Sequence, residues 1–299
     1  MESSNKLQFD YLMAFSNMIK ELRYFGNYSP VNVFNQYSEY IAICDQYRVN
    51  NNFHNGFKRI EGFSIEKLQQ LYAEKGFAII GMHYGAYRPV QYRITDELIK
   101  VHPDKKILLV VDEESYNSES ASIEVVKTYN RQNVEMVIAE KSTSALKIVR
   151  HLKDGGVVFL YLDGMTGYGE DKYPIQLPFI SSEIKIRSGL FRLLEKVKVP
   201  VIGVITPEID KILISLPIKT NSVSATASNV LSFFRPTILK DPSLWRLWYR
   251  HHMFSENYPN VLDYSNENKD HEDWICEDIS PTLVLNKETG DIYQKVGNN

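Results

Sequence analysis

Apolar residues recur at helical spacing from Leu7 to Leu22, through Phe9, Leu12, Met13, Phe15, Met18 and Ile19, and Gly26 and Pro30 close that stretch. A second stripe from Val31 to Tyr47, through Val33, Phe34, Tyr37, Tyr40, Ile41 and Cys44, predicts another helix. The Asn-rich run from Asn50 to Asn55 interrupts it. The rhythm then changes. Ser64 opens a short helix that ends at Gly76. Apolar runs follow at Phe77–His83, Lys106–Asp112, Val134–Glu140 and Val157–Asp163, separated by helical patterns around Val90–Val101, Ser122–Asn130 and Ser142–Gly156. Continuously apolar strands alternating with helices predict an α/β fold, a mainly parallel central sheet with helices on both faces.

Beyond Asp163 a long glycine-rich loop runs to Phe179, with Gly164, Gly167 and Gly169 permitting unusual backbone angles. The stretch from Ile184 reads as a helix, followed by a buried strand, Val199 to Ile205, and an antiparallel neighbour from Lys211 to Ile218. A weak helix starts after Val223, and Pro242 suits the first turn of another that carries Trp245, Leu247, Trp248 and Phe254. After a polar stretch from Tyr258 to Asp273, the segment from Thr282 to Val296 predicts a hairpin turned at Glu288–Asp291. The expected organisation is an N-terminal helical segment, residues 1–60, packed on an α/β domain, residues 61–256, and a polar tail with a hairpin, residues 257–299.

Composition narrows the function classes. With 43% hydrophobic and 24% charged residues the chain is ordinary globular material, and a net charge of −3 argues against general nucleic-acid binding. Cys44 and Cys276 stand far apart, so a reduced, cytoplasmic setting is expected. The N-terminus has no basic region leading into an apolar run, and no stretch reaches the ~18 apolar residues of a membrane span. Peripheral membrane contact stays open, since aromatic residues make up 12% of the chain. There is no phosphate-loop glycine–lysine motif, no dinucleotide fingerprint, no nucleophile elbow, and no histidine or cysteine pair at metal spacing. His251 and His252 are adjacent and face different ways. No cofactor and no metal are expected.

Four apolar runs end on polar residues: His83, Asp112, Glu140 and Asp163. Ligands of open α/β sheets bind beyond the carboxyl ends of the strands, where such residues converge. A polar residue at a loop start, or an Asp capping a helix, looks the same in sequence. The stretch Phe77–Arg88 (FAIIGMHYGAYR) stands out because it delivers a histidine to a glycine turn.

That block, His83-Tyr84-Gly85-Ala86-Tyr87-Arg88, resembles the His-x-Gly-Asn-Trp-Glu signature of the bacterial lipid A biosynthesis (lauroyl/myristoyl) acyltransferase family. Later blocks are similar and in the same order. LKDGGVVFLYLDGMTG matches a strand ending in the family's aspartate at Asp163, LPFISSEIKIRSGLF matches its Pro-Phe-Phe-Gly segment, and DPSLWRLWYRHH matches its closing Trp-x-Trp helix. The likeness spans roughly Ser64 to His252.

The resemblance implies transfer of an acyl group from an acyl or peptidyl carrier protein or acyl-CoA to a hydroxyl or amine, on a small or carrier-bound acceptor, with His83 as general base. Arg88 replaces the family's acidic residue, so Asp163 or Asp112 is expected to orient the imidazole, and Arg88 to contact a phosphate or carboxylate. Arg187 is expected to meet the thioester or a phosphate, and Tyr84, Gly85 and Gly164 to complete the substrate site. The family's apolar anchor helix is not matched, which favours a soluble acceptor over lipid A. The alternatives are a non-catalytic module that binds an acyl chain or carrier protein, and a thioesterase-like hydrolase.

Overall fold

The computed structural model describes residues 2–50, 59–117, 133–208, 210–255, 262–263 and 283–294. It divides into two compact units, one of Met1–Asp45, Pro178–Lys185 and Asp241–Asn299, the other of Gln46–Leu177 and Ile186–Lys240. Asp241–Phe254 groups with the N-terminal helices. Asn51–Asn55, the helix expected at Ser122–Asn130 and the tail from Tyr258 to Asp273, apart from residues 262–263, lie outside the described residues.

In the first unit, α1 (Glu2–Leu22) and α2 (Pro30–Asn50) form as their stripes predict. Leu12, Met13, Phe15 and Ile19 of α1 pack with Leu285 and Ile292 of the C-terminal hairpin, whose strands Leu283–Leu285 and Ile292–Gln294 run antiparallel. The segment after Pro242 is not one helix. It forms two 3-10 turns, Pro242–Leu244 and Arg246–Arg250, and then a single helical turn, His251–Phe254. Glu21 on α1 is fully buried. Its carboxylate accepts the backbone N–H groups of Ser181 at 2.7 Å and Ser182 at 3.0 Å, and meets Nε2 of the equally buried His251 at 3.0 Å.

The second unit holds the sheet: β1 (Arg59–Gly62), β2 (Phe77–Gly81), β3 (Ile107–Val111), β4 (Val134–Ile138), β5 (Val157–Tyr161), β8 (Val201–Glu208) and β9 (Lys211–Ile214). Between β5 and β8 in the sequence come two short strands outside this sheet, β6 (Ile175–Pro178) and β7 (Glu183–Ile186). The seven-stranded order is β1-β9-β8-β2-β5-β3-β4, parallel throughout except for β8 against β9, as the apolar runs predict. β1, β6 and β7 were not expected, and Glu183–Ile186 is strand where the sequence reads as helix.

Helices α3 (Ile65–Glu74) and α4 (Tyr87–Val101) cover one face, burying Leu68, Tyr72, Ile94 and Leu98 against Phe77, Ile79, Val157 and Ile202. Further helices of this unit are α5 (Ser144–Lys153), α6 (Gly189–Val197) and α7 (Val223–Lys240). Successive strand residues point to opposite faces. Ile202 and Val204 meet the α3–α4 layer, whereas a side chain on Gly203 would meet Phe233 of α7 at 2.6 Å. That places α7 on the other face, and helices therefore cover both. No helix among the described residues is long and apolar enough to cross a membrane.

Candidate functional site

β2 is buried along its whole length and releases the chain at His83, whose side chain keeps 24% exposure. The turn that follows is fixed by one close approach. Gly85 has φ = +55°, and a Cβ there would lie 2.3 Å from Thr206 Oγ1 and 2.5 Å from its carbonyl oxygen. The Thr206 hydroxyl in turn donates to the Tyr84 carbonyl at 2.9 Å. The Tyr84 ring is buried, with its hydroxyl donating to the Thr237 carbonyl at 3.1 Å. Tyr84 and Gly85 therefore shape the turn and are not among the residues lining the cavity described below. Gly85→Ala is expected to cost about 3 kcal/mol, from left-handed backbone strain and contact with Thr206. Urea denaturation measures it; a loss below about 1 kcal/mol would mean the turn relaxes.

The partner of His83 follows from sheet register. β2 and β5 pair in parallel with Gly81 opposite Tyr161, so two residues on, His83 faces Asp163. Asp163 is fully buried. It accepts the backbone N–H of His83 at 3.1 Å and stands 2.9 Å from the ring Nδ1. A carboxylate only accepts, so Nδ1 carries the proton and Nε2 is left as the basic nitrogen. Tyr161 and Tyr87 flank the imidazole, with ring centroids at 4.6 and 4.8 Å. They limit its rotation.

His83 opens onto a cavity of about 440 Å³ within this unit. Val110, Ile148, Leu160, Leu162 and Leu190 supply aliphatic lining, and Arg88, Lys141, Arg187 and Arg192 supply cations. Such a mixture suits a ligand with an apolar segment and an anionic part. The Arg88 guanidinium lies 5.5 Å from the centroid of the Tyr87 ring, and the carboxylate held against the imidazole is that of Asp163.

Arg187 also lines the cavity, but its guanidinium donates to the Gly169 carbonyl at 2.7 Å and packs so closely on Gly167 that a Cβ there would lie 2.8 Å from Nε. It holds the glycine loop. Asp171 anchors the same loop by accepting the Ser188 hydroxyl at 2.8 Å and the Ser188 backbone N–H, just ahead of α6. Burial pushes the Asp171 carboxyl up, but those bonds and the charge of Arg187 outweigh it and hold it below the usual range. Gly164 is also among the lining residues.

Asp112 also lines it, while its carboxylate accepts the Ser115 N–H at 2.5 Å and its carbonyl accepts the Tyr116 N–H at 2.9 Å. It caps a helical turn, and Asp163 holds the place beside the imidazole. Glu140 is not among the lining residues. Tyr87, Gln91, Lys141, Tyr161 and Arg192, which do line the cavity, were not expected from the sequence. Tyr87 and Arg88 precede Gln91 on α4 by four and three residues, a helical spacing that offered a signal. No group of metal-binding side chains occurs among the described residues.

No protein-family model matches the chain, and no curated protein sequence matches it.

Proposed function

We propose that this chain is an acyltransferase of the lipid A acyltransferase type, moving an acyl group from a carrier-protein or CoA thioester to a hydroxyl or amine. The observation that carries the reading is the 2.9 Å contact between His83 Nδ1 and a fully buried Asp163 at the mouth of a part-aliphatic, part-cationic cavity. His83 Nε2 takes the proton of the acceptor as its oxygen or nitrogen bonds to the thioester carbonyl carbon. Asp163 holds the ring and stabilises the imidazolium that forms. The C–S bond then breaks, and the thiolate leaves with the proton from His83. Unlike the fully buried Glu21–His251 pair, this one has a partly exposed imidazole that lines a cavity, which weighs against a pure binding module.

The reading is tested by intact-mass analysis of the protein incubated with acylated carrier proteins or acyl-CoA and small alcohol or amine acceptors. Loss of the acyl mass from the donor, with its gain on the acceptor, is expected. Free acid formed equally without acceptor would instead mark a hydrolase, and an unchanged donor across the panel would overturn the reading.

In the same assay Arg88→Glu is expected to raise KM for the donor about tenfold, since Asp163 already stands beside the imidazole and the swap puts a negative charge in a cationic wall. A rise in kcat would instead show that a carboxylate at position 88 serves the base.

A further inference from the structure

Among the polar side chains of α4 that this chemistry leaves unused, Gln91 is one that lines the cavity that His83 opens onto. It is only 6% exposed and has an amide Nε2 without a hydrogen-bond partner. Its amide oxygen accepts from the Tyr161 hydroxyl at 3.3 Å, and the Tyr161 ring lies 4.6 Å from the imidazole. A buried N–H without an acceptor is costly, and native structures rarely keep one without a reason. An aliphatic side chain would fill the same space at no such cost.

We propose that Gln91 is a ligand contact whose N–H receives an oxygen of the acyl donor, close to the reacting carbon. The proposal rests on the acyl-thioester reading. The chemistry required is one carbonyl or hydroxyl oxygen in an otherwise apolar segment, and two oxygens meet it: the thioester carbonyl, or an oxygen on the acyl chain near it. In the first case the acceptor attacks the carbonyl carbon and the π pair moves onto oxygen. Gln91 then donates to that oxyanion until the C–S bond breaks and the thiolate takes the proton held by His83. In the second case Gln91 selects oxygen-bearing chains, because an unsubstituted chain leaves its amide unpaired.

Calorimetric titration without acceptor, using S-decyl-CoA, decanoyl-CoA and 3-hydroxydecanoyl-CoA, separates these. The thioether lacks the carbonyl, and the hydroxyacyl thioester adds a chain oxygen. The unsubstituted protein is expected to bind at least one oxygen-bearing ligand about tenfold more tightly than the thioether. A step at decanoyl-CoA assigns the carbonyl, and a step only at 3-hydroxydecanoyl-CoA assigns the chain oxygen. Gln91→Leu is expected to bring all three within about twofold, with thioether binding kept. Gln91→Met serves if the leucine variant does not fold.

No preference in the unsubstituted protein, a preference that survives both variants, or no binding of any of the three overturns the proposal. His83→Ala separates it from the underlying reading: it is expected to keep the preference while transfer is lost. Transfer without any preference sinks the Gln91 contact alone. A Gln91-dependent preference in a protein that transfers no acyl group sinks the transferase reading alone.

Discussion

Replacing Asp163 with asparagine is expected to lower transfer turnover by about 10⁴-fold, and His83→Ala to remove transfer down to background. The amide can still accept the His83 backbone N–H, so the turn is held, but it can also present N–H to Nδ1. The ring then takes the other tautomer, with its proton on Nε2, where the acceptor's proton should go. The expected signature is a fall in kcat with KM nearly unchanged, and a thermal midpoint close to that of the parent. An Asp163→Asn variant within about tenfold of the parent would reduce the contact to a structural one. Wild-type-like transfer by His83→Ala would end the general-base mechanism altogether.

The largest stability effect is expected at Glu21. Glu21→Ala strips the acceptor from two backbone N–H groups and from the fully buried His251 ring. Phe179, Trp245 and Trp248 pack against that ring with centroids at 5.6, 5.4 and 5.5 Å, and the ring is fully buried, so water does not replace a lost partner. Breaking such a pair from one side costs about 3–5 kcal/mol. Glu21→Gln, which keeps an acceptor oxygen, is expected to lose less than half of that. Chemical denaturation of the full chain checks both. Equal losses for the two variants would show that packing, not hydrogen bonding, holds this segment.

The parallel sheet was legible because strands buried on both faces leave unbroken apolar runs, as in Phe77–Gly81 and Val157–Tyr161. β1 was not, since three of its four residues are exposed and it lies at the sheet edge. β6 alternates buried Ile175 and Leu177 with exposed Gln176 and Pro178, a strand pattern hidden among the glycines and prolines of its loop. His83 and Asp163 could each be picked out as strand-end residues. Their pairing could not, because β5 inserts between β2 and β3, and strand order is not written in local pattern. Gln91 was invisible for a different reason: a glutamine in an amphipathic helix reads as solvent-facing, and only packing shows that it is buried.

The register of β2 against β5 also decides how the pair comes apart. Where base and acid share one helical turn, fraying of that turn separates them. Here the acid is reached across a buried backbone ladder, with the Leu162 amide donating to the Gly81 carbonyl at 2.9 Å just before Asp163. Helix ends open at little free energy, while central strands open only with the unit as a whole. The lifetime of the dyad is thereby that of the sheet. Fraying at the first turn of α4 therefore leaves the imidazole clasped by Asp163.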